Sequence, residues 1–272
     1  MSAKTYIEPQ TTIPVYDECD VLVVGGGAAG HSAAIAAARA GCRNVILMER
    51  YGYCGGDVTG GYVLLIPNLS FHEKTYVRGI QEEWYTRLKD SPGAVSGPGP
   101  EEAGNYDPLL VRSWDTAGAA TFVPPRMVCH AFMLEPNQLK IEMDKMLYEE
   151  SSSIRVLYHS WGTKPIMEGD ICKGVIFESK EGRKAVLAKV VIDATGDADL
   201  CRLSGAPTSS AIDDECRCGT TALVYRVGGF SFKAYEDWRR RNPDLAKSLL
   251  ENVSKSHGVR AAMFSTPVDN IA

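Results

Sequence analysis

The residues Gly25-Gly26-Gly27-Ala28-Ala29-Gly30 match the pattern G-x-G-x-x-G. Each glycine has its own task. Gly25 permits a tight turn, Gly27 lets the backbone approach a pyrophosphate, and Gly30 lets a helix pack close to a strand. The free N–H groups and the dipole of that helix favour negative charge at its start. Glu49 follows Gly25 by 24 residues, near the spacing expected of a carboxylate that accepts a ribose hydroxyl. The chemistry implied at this point is the binding of a dinucleotide.

Such a pattern is weak unless a strand precedes it and a helix follows. Residues 19–24 are short, β-branched and apolar, as a central parallel strand requires. Ala34 and Ala38 follow Gly30 at helical spacing and keep the helix tight against the sheet. Gly41 then reads as its C-terminal cap. Residues 44–48 form a second strand that ends at Glu49. Further on, strands are expected at 154–158, 171–179 and 184–188 as a three-stranded antiparallel insert. Residues 180–183 are the turn of its last hairpin. Residues 190–192 make another strand running into Ala194-Thr195-Gly196-Asp197.

The segments "ERYGYCGGDVTGG" (49–61) and "AKVVIDATGDADL" (188–200) have no place in a simple NAD-dependent dehydrogenase. Together with the glycine turn they resemble the FAD-dependent oxidoreductases of the glutathione-reductase-like superfamily. The likeness is nearest to the family related to the fumarate reductase flavoproteins. "RGIQEEWYTRLKD" and "LEPNQLKIEMDKMLYEE" resemble that family's following helices. The resemblance spans about residues 13–229. It implies an α/β fold: a Rossmann-like FAD-binding domain in a three-layer ββα arrangement with an antiparallel meander insert, plus a partial α+β substrate domain. The FAD-binding domain is expected at 13–65 and 135–210, and the substrate or cap domain at 66–134 and 211–272.

The same resemblance implies the contacts. Gly25, Gly27, Ala29 and Gly30 hold the pyrophosphate, and Glu49 holds the adenosine ribose with Arg50 beside it. Gly55, Gly56 and Thr59 approach the pyrophosphate and the flavin side. Val156 offers backbone to the adenine. Ala194, Thr195, Gly196 and Asp197 close over the cofactor. The implied activity is hydride transfer between a small organic substrate and flavin N5. The alternative is a non-catalytic or electron-transferring flavoprotein subunit. The part after Gly196 is shorter than in the family, so the chain is expected to be a fragment, a truncated product or one subunit of a larger enzyme, with a second polypeptide or self-association completing the fold.

A flavin needs a proton relay beside it. Histidine is the usual donor near neutrality, and His72 and His130 lie in the stretch expected to border the substrate. Arg112 and Arg126 are further acid–base candidates, and Arg126, after Pro124-Pro125, could bind a carboxylate. His31 and His159 read as structural. Cys54 falls on the second glycine segment, where a positive environment could lower its pKa and make it a redox thiol or a flavin attachment point. The bland alternative is a packed small residue.

The 272 residues are 44% hydrophobic and carry a formal net charge of -5. A nucleic-acid binder would show a basic surplus, and the only basic run, Arg239-Arg240-Arg241, reads as a helix end. No stretch is apolar enough to span a bilayer. The N-terminal residues lack the apolar core of a secretory signal, so the cytoplasm is expected. The eight cysteines form no C-x-x-C pair, and Cys216-Arg217-Cys218 is too close for a zinc knuckle. No metal site is expected. The Pro- and Gly-rich residues 91–108 read as a long loop or lid. Residues 230–255 read as one or two amphipathic helices, with Trp238, Leu249 and Leu250 inward.

Overall fold

A computed structural model describes residues 4–67, 69–115, 125–209, 224, 226, 228–229, 231–246 and 248. In chain order the elements are β1 (Val15–Val24), α1 (Ala28–Arg39), β2 (Val45–Met48), β3 (Leu65–Ile66), β4 (Ser70–Phe71), β5 (Lys74–Thr75) and α2 (Ile80–Lys89). Then come β6 (Val95–Ser96), α3 (Pro108–Asp115), β7 (Phe132–Leu134), α4 (Pro136–Glu149) and β8 (Ile154–Leu157). The series ends with β9 (Trp161–Glu168), β10 (Ile171–Ser179), β11 (Gly182–Asp193), α5 (Asp199–Leu203) and α6 (Phe232–Arg241). Two compact units result: Met1–Gly61 with Lys140–Thr221, and Tyr62–Leu139 with Ala222–Ala272.

The first unit is built on a six-stranded sheet of order β8-β2-β1-β11-β10-β9. Strands β8, β2, β1 and β11 run parallel, and β10 and β9 are antiparallel. Side chains alternate along each strand, so successive residues face opposite sides. Leu22, Val24, Ile46 and Met48 join Val175, Phe177, Val186 and Leu200 in one buried cluster. Their neighbours Val21, Val23, Val45 and Leu47 face the other way and are buried as well. Helix α1 lies along β1 and β2 and buries Gly30, His31, Ala34, Ile35 and Ala38. It ends as expected, with Gly41 at φ +102° donating its N–H to the Ala38 carbonyl.

The sheet curls back on itself. In a flat sheet β9 would lie about 14 Å from β1. Instead, a Cβ added to Gly162 on β9 would sit 2.6 Å from Val24 Cγ1 and 3.5 Å from Met48 Sδ. The antiparallel strands therefore cover the face of the parallel strands opposite α1, which gives the three ββα layers.

Two corrections to the expected strands follow. The segment 154–158 is not part of the meander; it supplies β8, the parallel edge strand beside β2. The outer meander strand is β9, whose Gly162, Pro165 and charged residues hide a strand pattern. Pro is tolerated there because β9 is an edge. In addition, β11 is one continuous strand from residue 182 to 193. Its first half pairs with β10, and it pairs with β1 from Ala185 to Asp193.

The second unit holds a three-stranded sheet, β3-β7-β6, and the hairpin β4-β5. Trp84 and Leu88 of α2 and Phe132 of β7 are buried. The expected loop at 91–108 contains β6, which pairs with β7. A Cβ on Gly97 would meet the Ala131 carbonyl oxygen at 2.3 Å, so glycine here marks a close backbone approach rather than a free loop. In α6, the Ser231 hydroxyl accepts the Ala234 N–H, Trp238 stacks on Tyr235, and the three arginines fill the exposed last turn. Leu249, Leu250, Cys216 and Cys218 lie outside the described residues. Among the described residues no helix is long and apolar enough to cross a membrane.

If the curl depends on the bare face of Gly162, Gly162→Ala should overpack the layer and cost about 1–3 kcal/mol. A denaturant melt checks this. An unchanged midpoint would show that the two β layers have slack between them.

Candidate functional site

The C-terminal ends of β1, β2 and β11 meet at the start of α1. The Gly25 N–H donates to the Met48 carbonyl, and the Ala194 N–H donates to the Val24 carbonyl, each at 2.8 Å. These bonds hold the turn after β1 between the other two strand ends. A Cβ on Gly25 would lie 2.2 Å from the Ala194 carbonyl oxygen, and one on Gly30 would lie 1.7 Å from the Gly25 carbonyl oxygen. Both glycines are therefore demanded by the fold itself.

Gly27 is different. Its φ is -62°, ordinary for any residue, and a Cβ there would meet nothing within 4 Å. No feature of the folded chain requires glycine at this position. It stands at the N-cap of α1, which has no side-chain cap and no acidic residue in its first turn. Ala29 is exposed in that turn. The helix start thus offers uncapped N–H groups beneath open space, the arrangement that receives an anion.

The second glycine segment docks on the first. The Gly55 N–H donates to the Gly26 carbonyl at 2.8 Å, and Gly27 and Gly55 form a parallel bridge. A Cβ on Gly56 would come within 3.3 Å of Gly27 Cα. Thr59 is buried and its hydroxyl donates to the Cys54 carbonyl at 2.8 Å, which closes this second loop on itself.

Glu49 is buried at the end of β2. Its Oε2 accepts the Gly26 N–H at 2.6 Å and its Oε1 accepts the Tyr51 N–H at 2.7 Å. A carboxylate has about four acceptor positions, so it keeps capacity for hydroxyl donors. Arg50 beside it is exposed, with its guanidinium over the Tyr51 ring. Val156 lies on β8, paired with Leu47.

The turn after β11 is organised by Asp193, a residue the sequence reasoning missed. Its Oδ1 accepts the Thr195 N–H and hydroxyl, and its Oδ2 accepts the Cys201 N–H. The Thr195 hydroxyl in turn accepts the Asp199 N–H at 3.0 Å. Gly196 and Asp197 lie exposed at the tip. Burial pushes the Asp193 carboxyl up, but these donors from Cys201 and Thr195 outweigh it and hold it below the usual aspartate value. An acid placed two residues before a threonine is the readable signal of such a turn.

At Cys54 the structure favours the packed small residue over the redox thiol. It is fully buried, with its thiol 3.5 Å from the Tyr158 hydroxyl, which donates to Asp144. Burial pushes the thiol up to about 12, so it is no thiolate nucleophile. A Cβ on Gly26 would meet its sulfur at 3.0 Å; Cys54 packs behind the turn. His31 is structural as expected, its Nε2 3.1 Å from the Met143 carbonyl. His159 sits in the turn between β8 and β9, with its N–H on the Tyr51 carbonyl.

All the residues expected to hold the dinucleotide lie in the first unit: Val156 on β8, Ala29 and Gly30 in the first turn of α1, and the others on the segments that follow β1, β2 and β11. His72, His130 and Arg126 lie in the second. His72 is exposed at the β4-β5 turn, its Nδ1 2.7 Å from the Tyr106 hydroxyl. His130 is buried, its Nδ1 3.0 Å from the Pro98 carbonyl and its ring against Tyr85. Arg126 is exposed after Pro125.

The profile of the family described as FAD dependent oxidoreductase matches residues 20–269. A urocanate reductase of Eggerthella lenta is 42% identical over 76 residues, 28% of this chain and 12% of that protein. Among solved structures, a geranylgeranyl bacteriochlorophyll reductase-like protein of Thermoplasma acidophilum is similar with TM-score 0.45 and 22% identity, over 70% of this chain and 42% of that one. A flavocytochrome c3 fumarate reductase is similar with TM-score 0.38 and 18% identity, over 66% and 34%. The chain spans less than half the length of each of these relatives.

Two outcomes are expected at this site. Because Asp193 is held low when folded, its contribution to stability is complete above the ordinary aspartate value of about 3.9. It is lost as pH falls through the lower folded value. The gap in thermal midpoint between the wild type and Asp193→Asn should thus be constant from about pH 7 to about pH 5 and narrow below that. A gap that stays constant in acid would exclude the charge as its cause. For the thiol, iodoacetamide at pH 8 should leave Cys54 unmodified until the chain is unfolded. Site-resolved mass spectrometry reads this, and native labelling of Cys54 would contradict its burial.

Proposed function

The chain belongs to the FAD dependent oxidoreductase family, and from that premise we propose that FAD lies along the two glycine loops. Its pyrophosphate takes the uncapped N–H groups of α1 beside Gly25, Gly27, Ala29 and Gly30. Gly55, Gly56 and Thr59 bring the second loop alongside. Glu49 accepts the hydroxyls of the adenosine ribose, with Arg50 next to it, and Val156 borders the adenine. Ala194, Thr195, Gly196 and Asp197 close the other side. Residues 13–65 and 135–210 make up this cofactor domain, and 66–134 with 211–272 a partial substrate domain. The observation that carries the reading is Gly27, a glycine the folded chain does not need, set at an uncapped helix start.

Bound there, the flavin supplies hydride exchange at its N5 with a small organic molecule. The chain's own residues supply binding and protons. His72 is the better placed of the two histidines for proton transfer: it is exposed, and among the described residues its hydrogen bond is made through Nδ1 alone. His130 has the weaker claim, since its ring is buried and tied to the Pro98 carbonyl. Arg126 is suited to a substrate carboxylate. A non-catalytic or electron-transferring subunit is not favoured by the family match.

A second polypeptide or a second copy is part of the same reading. Strand β10 stops pairing with β11 at Leu187, whereas β1 pairs with it as far as Asp193. Among the described residues no strand covers the other edge of 188–193, and Val190 there is 51% exposed. A further strand would satisfy that edge. The six described cysteines are free thiols, as in a reducing, cytoplasmic setting.

The purified chain is expected to be yellow and to release FAD, identified by chromatography, on heating. Gly27→Ser should keep or raise the thermal midpoint of the flavin-free chain, because serine caps α1. The same substitution should weaken FAD binding by roughly tenfold or more, since the hydroxyl takes the N–H groups meant for phosphate. A chain that never takes up flavin, or a Gly27→Ser variant with unchanged affinity, would sink the proposal.

A further inference from the structure

The β4-β5 hairpin closes through His72 and Glu73, between the paired residues Phe71 and Lys74. His72 has φ +53°. The first central position of so tight a turn suits glycine, because a side chain there is strained. The chain puts an imidazole there instead, and its neighbours orient it. The Phe71 ring meets the imidazole edge to face, with centroids 4.5 Å apart and planes 82° apart. Its Nδ1 lies 2.7 Å from the Tyr106 hydroxyl.

Close backbone packing brings Tyr106 to this turn. A Cβ on Gly104, at φ +81°, would come within 2.8 Å of the Glu73 nitrogen and 2.9 Å of the His72 carbonyl carbon. The Gly104 N–H donates to the Val128 carbonyl, and the Val128 N–H donates to the Asn105 carbonyl. After the tyrosine, the Asp107 carboxylate accepts the Leu109 N–H at 2.7 Å, at the start of α3. At the base of the hairpin the Ser70 hydroxyl accepts the His130 N–H at 2.8 Å. Both members of the pair therefore sit on fixed backbone. Both also reach solvent: Tyr106 is 47% exposed, and His72 is exposed. An exposed hydrogen bond between neutral groups adds little to folding; what this one fixes is the state of the imidazole.

We propose that Tyr106 is a positioning residue that holds His72 in the tautomer with its hydrogen on Nε2. The proposal rests on the reading above, in which His72 moves a proton. A phenol gives up its proton more readily than an uncharged imidazole does, so the hydroxyl donates and Nδ1 accepts. Nε2 then carries the hydrogen and is the nitrogen left for a substrate. When the Nε2–H bond breaks and that proton passes to the substrate, the hydroxyl proton crosses to Nδ1. The imidazole stays neutral throughout, and the phenolate left behind takes a proton from water, which its exposure allows. His130 has no such arrangement. Its Nδ1 faces the Pro98 carbonyl, which can only accept, so the hydrogen on that ring is fixed at Nδ1.

The test uses the full chain with isotope-labelled histidine, as wild type, Tyr106→Phe and His72→Gln, the last to assign the signals. Nitrogen–proton correlation spectra read which ring nitrogen carries hydrogen. At about pH 8, where an ordinary histidine is uncharged, wild-type His72 should carry it on Nε2 alone. In Tyr106→Phe the two nitrogens should share it and their signals converge. Diethyl pyrocarbonate, which needs a free ring lone pair, should modify His72 roughly threefold or more faster in Tyr106→Phe, the scale of one lost hydrogen bond. Mass spectrometry reads that rate. An unmodified His130 and an unchanged thermal midpoint show that the variant is folded. FAD affinity, followed by flavin fluorescence, should be equal in the two chains. The same tautomer and labelling rate in both chains would overturn the proposal and leave the FAD reading intact. Hydrogen on Nδ1 in the wild type would overturn it as well. So would weaker FAD binding by Tyr106→Phe, which would place the hydroxyl on the cofactor instead. A wild type that binds no FAD removes the reaction the pair serves, and both readings fall together.

Discussion

A side chain at Gly30 would drive its Cβ to 1.7 Å from the Gly25 carbonyl oxygen, and one at Gly25 would reach 2.2 Å from the Ala194 carbonyl oxygen. Three backbones, from α1, the turn after β1 and the end of β11, are thus in direct contact. No rotamer relieves a clash between a Cβ and a carbonyl, so the spacing of these elements is set by backbone alone. The rest of the first unit is arranged around that contact. Ala34 and Ala38 keep α1 close along its length. The His31 ring, facing the Met143 carbonyl, ties α1 to α4. The helix start is left directly above the strand ends, where its dipole and free N–H groups act together.

The same contact explains why one long strand serves two layers. Strand β11 begins in the antiparallel meander, beside β10, and ends in the parallel layer, beside β1. The curl that places Gly162 over Val24 and Met48 fixes the start of β11, and the Gly25–Ala194 approach fixes its end. The turn that follows is then built locally. Asp193 gathers the Thr195 and Cys201 donors, which brings the loop back to the start of α5. The meander therefore acts as the strut that positions the turn at 194–197.

Much of this was legible in the sequence because it depends on residue size at fixed spacing. The glycines at 25, 27 and 30, the alanines at 34 and 38, the acid at 49 and the turn at 194–197 are local signals, and they sit where they were expected. What stayed hidden depends on long-range packing. Strand β9 reads as irregular because Gly162 and Pro165 interrupt its pattern. Yet Gly162 is required by the layer beneath it, and Pro165 is allowed by the edge. Segment 154–158 has a strand pattern, but only its neighbour β2 decides that it belongs to the parallel sheet. Cys54 could be read either way, since a thiol's pKa follows its burial, and burial behind Gly26 is a tertiary fact.

An electrostatic tension remains at the cradle, and its resolution ties the site together. Two carboxylates, Glu49 and Asp193, lie at the ends of β2 and β11, on either side of the turn after β1. Neither forms an ion pair. Each is instead held by nearby donors: Glu49 by the N–H groups of Gly26 and Tyr51, Asp193 by the N–H groups of Thr195 and Cys201 and the Thr195 hydroxyl. These donors belong to the loops that must be shaped, so stabilising each carboxylate and folding each loop are one event. The cations nearby in sequence and space, Arg50 and Lys140, are kept off the acids and placed on tyrosine rings. A direct Arg50–Glu49 pair would occupy the remaining acceptor positions of the carboxylate. Holding the cations on aromatic faces offsets negative charge at short range while leaving the Glu49 carboxylate available.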